Sequence, residues 1–176
     1  MNDEIILVDI FDNETGHTDK ANAHAKGLLH RAFSVFVVHD GRMLIQKRSR
    51  SKYHSGGLWT NACCSHPREG ESLADAVPRR MIEELGFSSP VRECFSFVYR
   101  HVFDDGLIEY EFDHVFLTDY SGDYAINPDE AEEVKWIAFE ELAEDLRTNP
   151  EAYTVWFQTA SPEILKQLIE KNKRRV

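Results

Sequence analysis

The stretch ESLADAVPRRMIEELGF, residues 71–87, decides the fold class of this 176-residue chain. Ser72 is a favourable helix N-cap and Gly86 a favourable C-terminal stop, so the sequence predicts a helix over 72–85. Pro78 falls inside that helix, where it should remove a hydrogen bond and kink the axis. Two arginines stand one turn before two glutamates, which gives the helix a face of paired charges.

Strand patterns lie on both sides of this helix. Asp40-Gly41 is a hairpin signal between the first two strands, and Asp104-Asp105-Gly106 is a second one between two long strands. Their apolar, β-branched and aromatic residues are typical of strands in a buried sheet. The predicted strands are 32–38, 42–47, about 91–103, about 107–118 and 132–139.

The order of these elements predicts an α+β fold. The remainder of the chain after the last strand has a helical pattern, and regular β-α-β alternation is missing. We therefore expect a mixed β-sheet sandwiched by helices, built as a single domain over residues 1–176.

Composition indicates a soluble globular protein, with 42% hydrophobic and 29% charged residues. An N-terminus that carries acids and the lack of a long apolar run favour a cytoplasmic protein without membrane segments. Cys63 and Cys64 are adjacent in a set of three cysteines, which is a poor disulfide framework and favours free thiols.

Charge is distributed unevenly along the chain. The net charge of −11 argues against nucleic-acid binding. Between Asp40 and Glu69, however, there are bases and no carboxylate, which is typical either of a site for a small anionic ligand or of a solvated basic loop. The bases in this segment are Arg42, Lys47, Arg48, Arg50, Lys52 and Arg68.

Three histidines and two glutamates could form a metal site. His24 and His30 could reach a common point from a loop that enters the first core strand, and His66 closes the Cys-Cys-Ser-His segment. Glu109 and Glu111 share one face of a strand because their spacing is i and i+2. Such nitrogen and oxygen ligands suit zinc, manganese or iron. The alternative is a solvated strand face with scattered histidines. We expect ordinary polar contacts for His17, His39, His54, His101 and His114.

The helix segment resembles most of the Nudix signature, a loop–helix–loop that binds divalent cations against a diphosphate. Two positions depart from it: Ser65 replaces the opening glycine, and Arg80 replaces a glutamate that the hydrolases need. The exchange of an acid for a guanidinium should remove one metal site and favour direct phosphate pairing. The positions that match are Glu71, Arg79, Glu83, Glu84 and Gly86.

Three further segments, GLLHRAFSVF, KYHSGGLWTNACCSHPREGE and IEYEFDHVF, are similar to the type I isopentenyl-diphosphate isomerases, a branch of the Nudix superfamily. The likeness runs from about Leu7 to Trp156. It implies Mg²⁺ bridging the substrate diphosphate, and Zn²⁺ or Mn²⁺ in a site of three histidines and two glutamates. The implied metal-site residues are His24, His30, His66, Glu109, Glu111, Glu84 and the backbone carbonyl of Cys64.

The same resemblance implies the catalytic groups. The family's thiol falls on Cys64, its paired acid on Glu111, its assisting tyrosine on Tyr99, and the aromatic over the reacting carbons on Trp156. The expected activity interconverts isopentenyl and dimethylallyl diphosphate through a tertiary carbocation, with Cys64 and Glu111 on opposite faces of the substrate. The implied diphosphate-binding residues are Lys20, Arg48, Lys52 and Arg80.

Two other functions stay open from the sequence. A Nudix hydrolase of a nucleoside diphosphate derivative would need an acid at position 80, and a non-catalytic Nudix-like binding module would not need Cys64. For the isomerase we expect one small-molecule partner, no nucleic acid, no membrane, and a monomer or weak dimer.

Overall fold

The structure, a computed structural model, describes residues 4–173. Within them the chain forms nine strands, four α-helices and a short 3-10 helix at Pro150–Ala152. The strands are β1 Ile5–Val8, β2 Glu14–Thr18, β3 His30–His39, β4 Arg42–Arg48, β5 Trp59–Asn61, β6 Cys63–Ser65, β7 Arg92–Val102, β8 Ile108–Asp119 and β9 Ala131–Ala138. The α-helices are α1 Lys20–Lys26, α2 Leu73–Leu85, α3 Phe139–Thr148 and α4 Val155–Lys173.

The helix predicted from residues 72–85 is confirmed as α2. The Ser72 side chain caps it by accepting a hydrogen bond from the Asp75 amide, and Gly86 ends it in the left-handed conformation at φ 75°. Helix α2 continues past Pro78 to Leu85. The prediction missed β1, β2, β5, β6 and α1.

The strands form a mixed sheet in which β3 is central. Its first half pairs antiparallel with β6 and its second half pairs antiparallel with β4, while β8 runs parallel to β3 along its whole other edge. The parallel pairing arises because the long excursion through β4, β5, β6, α2 and β7 separates the two strands in sequence. The α+β prediction is confirmed.

Helices cover both faces of the sheet because the side chains of β3 alternate. Phe36 packs into a core with residues of α3 and α4, whereas Val35 and Val37 pack into a second core with residues of α2. These two cores confirm a sheet sandwiched by helices. In the part of the chain that is described, no helix is both long and apolar enough to cross a membrane.

Candidate active site

A polar cavity lies beside the first half of β3. Its walls come from five elements that are distant in sequence, with Lys20 from α1, Arg48 from β4, Cys64 from β6, Glu111 from β8 and Trp156 from α4. The sheet therefore gathers a thiol, carboxylates, imidazoles and cations around one cavity.

The inward face of β8 carries acids instead of apolar residues. Glu109, Glu111 and Asp113 are buried, whereas Tyr110 and Phe112 between them are partly exposed. The predicted sharing of one strand face is confirmed. This burial excludes the alternative of a solvated strand face for these acids.

His24 lies in helix α1, which corrects the prediction of a loop. Asp19 caps α1 by accepting a hydrogen bond from the Asn22 amide at 2.8 Å. Gly27 ends the helix at φ 62°, and a Cβ there would come within 3.0 Å of Ile108. Glycine at this turn therefore lets α1 lie against the start of β8. His24, on the same helix, is completely buried.

Four groups meet at one point. His66 Nε2 lies 2.9 Å from Glu111 Oε1, and His30 Nε2 lies 3.4 Å from the same oxygen. Ligand atoms of His24, His30, His66 and Glu111 all lie within 4.8 Å of one another. We call these four residues the histidine cluster.

The histidine cluster offers free nitrogen lone pairs. Burial first, and the charge of Lys20 second, lower the pKa of His24 to about 3, and burial likewise lowers the pKa of His66 to about 3. His30 donates its Nδ1 proton to the Leu28 carbonyl at 2.8 Å, which leaves Nε2 unprotonated in the neutral ring. The Nε2 atoms of His24 and His30 are buried and have no hydrogen-bond partner within residues 4–173. Unpaired imidazole nitrogens around a carboxylate fit a transition metal.

Glu109 lies beside the histidine cluster but is not among the four residues that converge. The Tyr99 hydroxyl joins it to Glu111, with 3.2 Å to Glu109 Oε2 and 2.5 Å to Glu111 Oε2. Burial and the adjacent Glu111 raise the pKa of Glu109 well above its usual range. Burial also opposes ionisation of Glu111, yet the imidazoles of His30 and His66 beside it outweigh burial and lower its pKa. The structure thus brings four of the five predicted ligands together, and Tyr99 connects the fifth.

His54 also lines the cavity, although ordinary polar contacts were expected for it. Its Nε2 lies 3.3 Å from Glu109 Oε1, and its ring stacks on Phe103 and meets the edge of Trp156. Burial lowers the pKa of His54 to about 3. The signal in the sequence was its position two residues after Lys52, inside the basic segment, and that position does not reveal where the side chain points.

The adjacent thiols point in opposite directions because successive residues of β6 alternate. Cys63 is completely buried in the core that packs on α2, whereas Cys64 lines the cavity. Burial raises the pKa of Cys64 to about 12, so the thiol carries its proton at neutral pH. Trp156 lies nearby in α4, with the Arg48 guanidinium 5.2 Å from its ring.

The four predicted phosphate-binding cations fall into two groups. Lys20 and Arg48 line the cavity. Lys52 and Arg80 instead meet at Glu130, at 2.5 Å and 3.1 Å, and Arg80 also pairs with Glu84 at 2.6 Å. We call Lys52, Arg80, Glu84 and Glu130 the ion-pair network. The sequence prediction did not include Glu130, because nothing in its local sequence marks it.

Comparison with known proteins gives a consistent result. The family model of the NUDIX domain matches residues 28–157. The chain is 51% identical to isopentenyl-diphosphate Delta-isomerase 2 of Aromatoleum aromaticum, over 89% of this chain and 83% of that protein. It is 45% identical to isopentenyl-diphosphate Delta-isomerase 2 of Photorhabdus laumondii over the full length of both.

Solved structures share the fold. A Deinococcus radiodurans protein superimposes with a TM-score of 0.72 at 20% identity, covering 94% of this chain and 98% of that one. A MutT NUDIX hydrolase of Burkholderia pseudomallei gives a TM-score of 0.57 at 24% identity, covering 76% of this chain and 96% of that one.

Proposed function

The chain belongs to the isopentenyl-diphosphate Delta-isomerase family of NUDIX-domain proteins, and we propose how its residues divide that reaction. The activity interconverts isopentenyl diphosphate and dimethylallyl diphosphate. We propose that residues 1–176 act as one isomerase domain with this small molecule as its substrate, in the cytoplasm, as a monomer or weak dimer without nucleic-acid or membrane partners.

The reaction moves one double bond by two proton transfers. A proton added to the terminal alkene carbon makes a methyl group and leaves a tertiary carbocation. A proton removed from the neighbouring carbon, C2, restores a double bond one position along. The reaction therefore needs an acid and a base that the substrate separates, which is general acid–base catalysis by two positioned groups.

Glu111 with Tyr99 forms one proton-transfer group, and Cys64 forms the other. Strand β3 runs between them, because Cys64 on β6 pairs with Ser34 and Glu111 on β8 pairs with His30. Both side chains line the cavity, which supports a substrate held between them. The raised pKa of the thiol keeps it protonated until it exchanges a proton with the substrate.

The carbocation needs stabilisation without a nucleophile that would trap it. The Trp156 ring lines the cavity at 4% exposure, and a desolvated indole face attracts a cation by roughly 2 kcal/mol. Enclosure also keeps water from adding to the cation. Trp156 therefore has the position and the chemistry for this role.

Two metal sites fit the residues present. The unpaired nitrogens of the histidine cluster, with Glu109 as the fifth ligand, suit Zn²⁺ or Mn²⁺. The buried carboxylate of Glu84 and the Cys64 carbonyl would hold Mg²⁺ against the substrate diphosphate. When bound, such cations lower the pKa of adjacent proton donors and neutralise phosphate charge.

Four cations would anchor the diphosphate. Lys20 and Arg48 are in the cavity, and Lys52 and Arg80 are in the ion-pair network. The diphosphate takes no part in the proton transfers, so its binding energy is available to hold the alkene between thiol and carboxylate. Arg80 stands where the Nudix hydrolases need a glutamate. This replacement supports binding of the diphosphate and argues against its hydrolysis.

The convergence of Cys64 and Glu111 on one cavity is the observation that carries this proposal. Its test is proton NMR of isopentenyl diphosphate with the enzyme and Mg²⁺ in D₂O. Deuterium should enter a methyl group of dimethylallyl diphosphate and, as the reaction reverses, C2. Phosphorus signals should remain those of an intact diphosphate ester. Release of phosphate without a deuterated methyl signal would instead indicate a hydrolase.

A further inference from the structure

Glu130 occupies a junction between two segments that belong to the proposed diphosphate site. Its carbonyl accepts a hydrogen bond from the Ser49 amide at 2.9 Å, which fixes the basic segment after β4. Its own amide donates to the Asn127 carbonyl at 3.0 Å, and the Asn127 amide donates to the Glu84 carbonyl at the end of α2 at 2.9 Å. The backbone at Glu130 is therefore tied to both segments.

The Glu130 side chain holds one cation from each of these segments. One carboxylate oxygen accepts from Lys52 Nζ at 2.5 Å and the other from Arg80 Nη2 at 3.1 Å. Burial opposes ionisation, but Lys52 and Arg80 outweigh it and lower the pKa of Glu130, so the group is an anion at neutral pH. Arg80 is also held by Glu83 at 2.7 Å and Glu84 at 2.6 Å, so the specific contribution of Glu130 is to join Lys52 to this arginine.

Both cations keep donors for a ligand. An ammonium has three N–H donors, so the bond to Glu130 leaves two on Lys52. Arg80 donates from Nη2 to Glu84 and Glu130 and from Nη1 to Glu83, whereas its buried Nε has no hydrogen-bond partner among the described residues. The contacts with Glu130 therefore orient the two cations without using up their capacity to bind phosphate oxygens.

We propose that Glu130 is a positioning residue for the diphosphate, because it holds Lys52 and Arg80 together before the substrate binds. This rests on the proposed function, in which both cations contact the diphosphate. Free lysine and arginine side chains lose substantial rotamer entropy when they are ordered, so a carboxylate that orders them in advance strengthens binding. Proton transfer takes place elsewhere and does not depend on Glu130.

The test compares Glu130→Gln with Glu132→Gln. Glu132 is a matched control in β9, because it pairs with Lys47 at 3.4 Å and Arg50 at 3.6 Å instead of the two proposed phosphate ligands. For each protein with Mg²⁺, calorimetry gives the affinity for inorganic pyrophosphate, and NMR assays give kcat and KM. We expect Glu130→Gln to weaken pyrophosphate binding and raise KM about tenfold, the size of one charge-assisted hydrogen bond. We expect kcat to stay within about twofold in both variants.

Three outcomes would overturn the inference. Unchanged or tighter pyrophosphate binding in Glu130→Gln would show that the carboxylate does not organise the site. A fall in kcat by the same factor as the rise in KM would show that the substitution disturbs more of the site than diphosphate binding. A rise only in the Mg²⁺ concentration needed for half-maximal activity would make Glu130 a magnesium ligand.

A third variant separates this inference from the proposed function. If Lys52→Met weakens pyrophosphate binding while Glu130→Gln does not, the cations bind the diphosphate and the positioning role of Glu130 is wrong. If neither variant changes binding, the proposed diphosphate site is wrong. Should Glu130→Gln fail to fold by circular dichroism, Glu130→Asp retains the charge on a shorter side chain. Its pyrophosphate affinity should then be reduced by less than tenfold, and an affinity equal to the wild type would overturn the inference.

Discussion

The histidine cluster and the ion-pair network differ in their electrostatics. In the histidine cluster, burial keeps the rings of His24 and His66 neutral, with pKa values lowered to about 3. In the ion-pair network, Arg80 and Lys52 are partly exposed and lie within hydrogen-bonding distance of carboxylates. In the first region burial outweighs the charge of Glu111 and leaves lone pairs for a metal, and in the second region paired charges give a ready anchor for an anion. Under the proposed function, the histidine cluster serves metal binding and the ion-pair network serves anchorage of the diphosphate, and the predictions below test that division.

The largest effect is expected at Cys64, which belongs to neither region and lines the cavity. Cys64→Ser should lower kcat by about 10²- to 10⁴-fold, because a serine hydroxyl is a much poorer proton-exchange group than a thiol. Deuterium incorporation in D₂O measures this loss. Cys63→Ser is the matched control and should stay within a few-fold of the wild type, since Cys63 lies in the core. The reverse result would place the catalytic thiol one residue earlier.

The next effect concerns metal binding by the histidine cluster. The purified protein should hold about one transition-metal ion per chain, and His66→Ala should lose both this metal and the activity. Elemental analysis of the purified variants measures metal content. His39→Ala is the control, because His39 is exposed and pairs with Asp119 at 2.8 Å. Full activity in a demonstrably metal-free sample would refute the site.

A smaller effect is expected in the ion-pair network. Arg80→Gln should raise KM about tenfold and leave kcat nearly unchanged, because it removes a charged phosphate contact. Arg79→Gln should instead lower the melting temperature without changing KM, since Arg79 binds Glu71 through two hydrogen bonds at 2.6 and 2.7 Å. Arg80→Glu should bind substrate weakly and create no hydrolysis, which phosphorus NMR checks. Loss of kcat in Arg80→Gln would remove the distinction between the two regions.

The smallest effect is a change in the pH dependence of stability. A buried histidine with a pKa of about 3 stays neutral when folded but gains a proton in the unfolded chain below its ordinary value of 6.5. The metal-free protein should therefore lose stability as pH falls from 6.5 towards 3, by up to about 1.4 kcal/mol per pH unit for each such histidine. Urea unfolding at several pH values measures this slope. His54→Gln should reduce this slope by the contribution of one proton, about 1.4 kcal/mol per pH unit. An unchanged slope would show that His54 does not stay neutral when buried.

Local patterns accounted for much of the fold. Ser72 and Gly86 bound α2 as predicted because capping depends on neighbouring residues alone. Strands β3 and β8 were visible for a similar reason, since their apolar runs are long. Strands β1 and β2 escaped because ETGHT has no such run, and β2 forms only by pairing with β1.

Family resemblance predicted some residues of the site, and nothing in the sequence indicated others. The resemblance named Cys64, Glu111 and the three histidines, and the fold brings these residues to one cavity or its edge. It did not name His54 or Glu130. Both have polar neighbours in the sequence, where a histidine or a glutamate is common. Only the residues that they contact in the structure indicate a role for them.

The sequence by itself determined the fold class, the family and the residue types available for the reaction. Those properties follow from local spacing and from motifs that are contiguous in the chain. The tertiary structure decided which thiol faces the cavity, which histidines become neutral and which carboxylate holds Lys52 and Arg80 together. The physical reason is that desolvation and pairing depend on groups brought close from distant segments, and only the parallel placement of β8 beside β3, with α1 and α2 packed against them, brings them close.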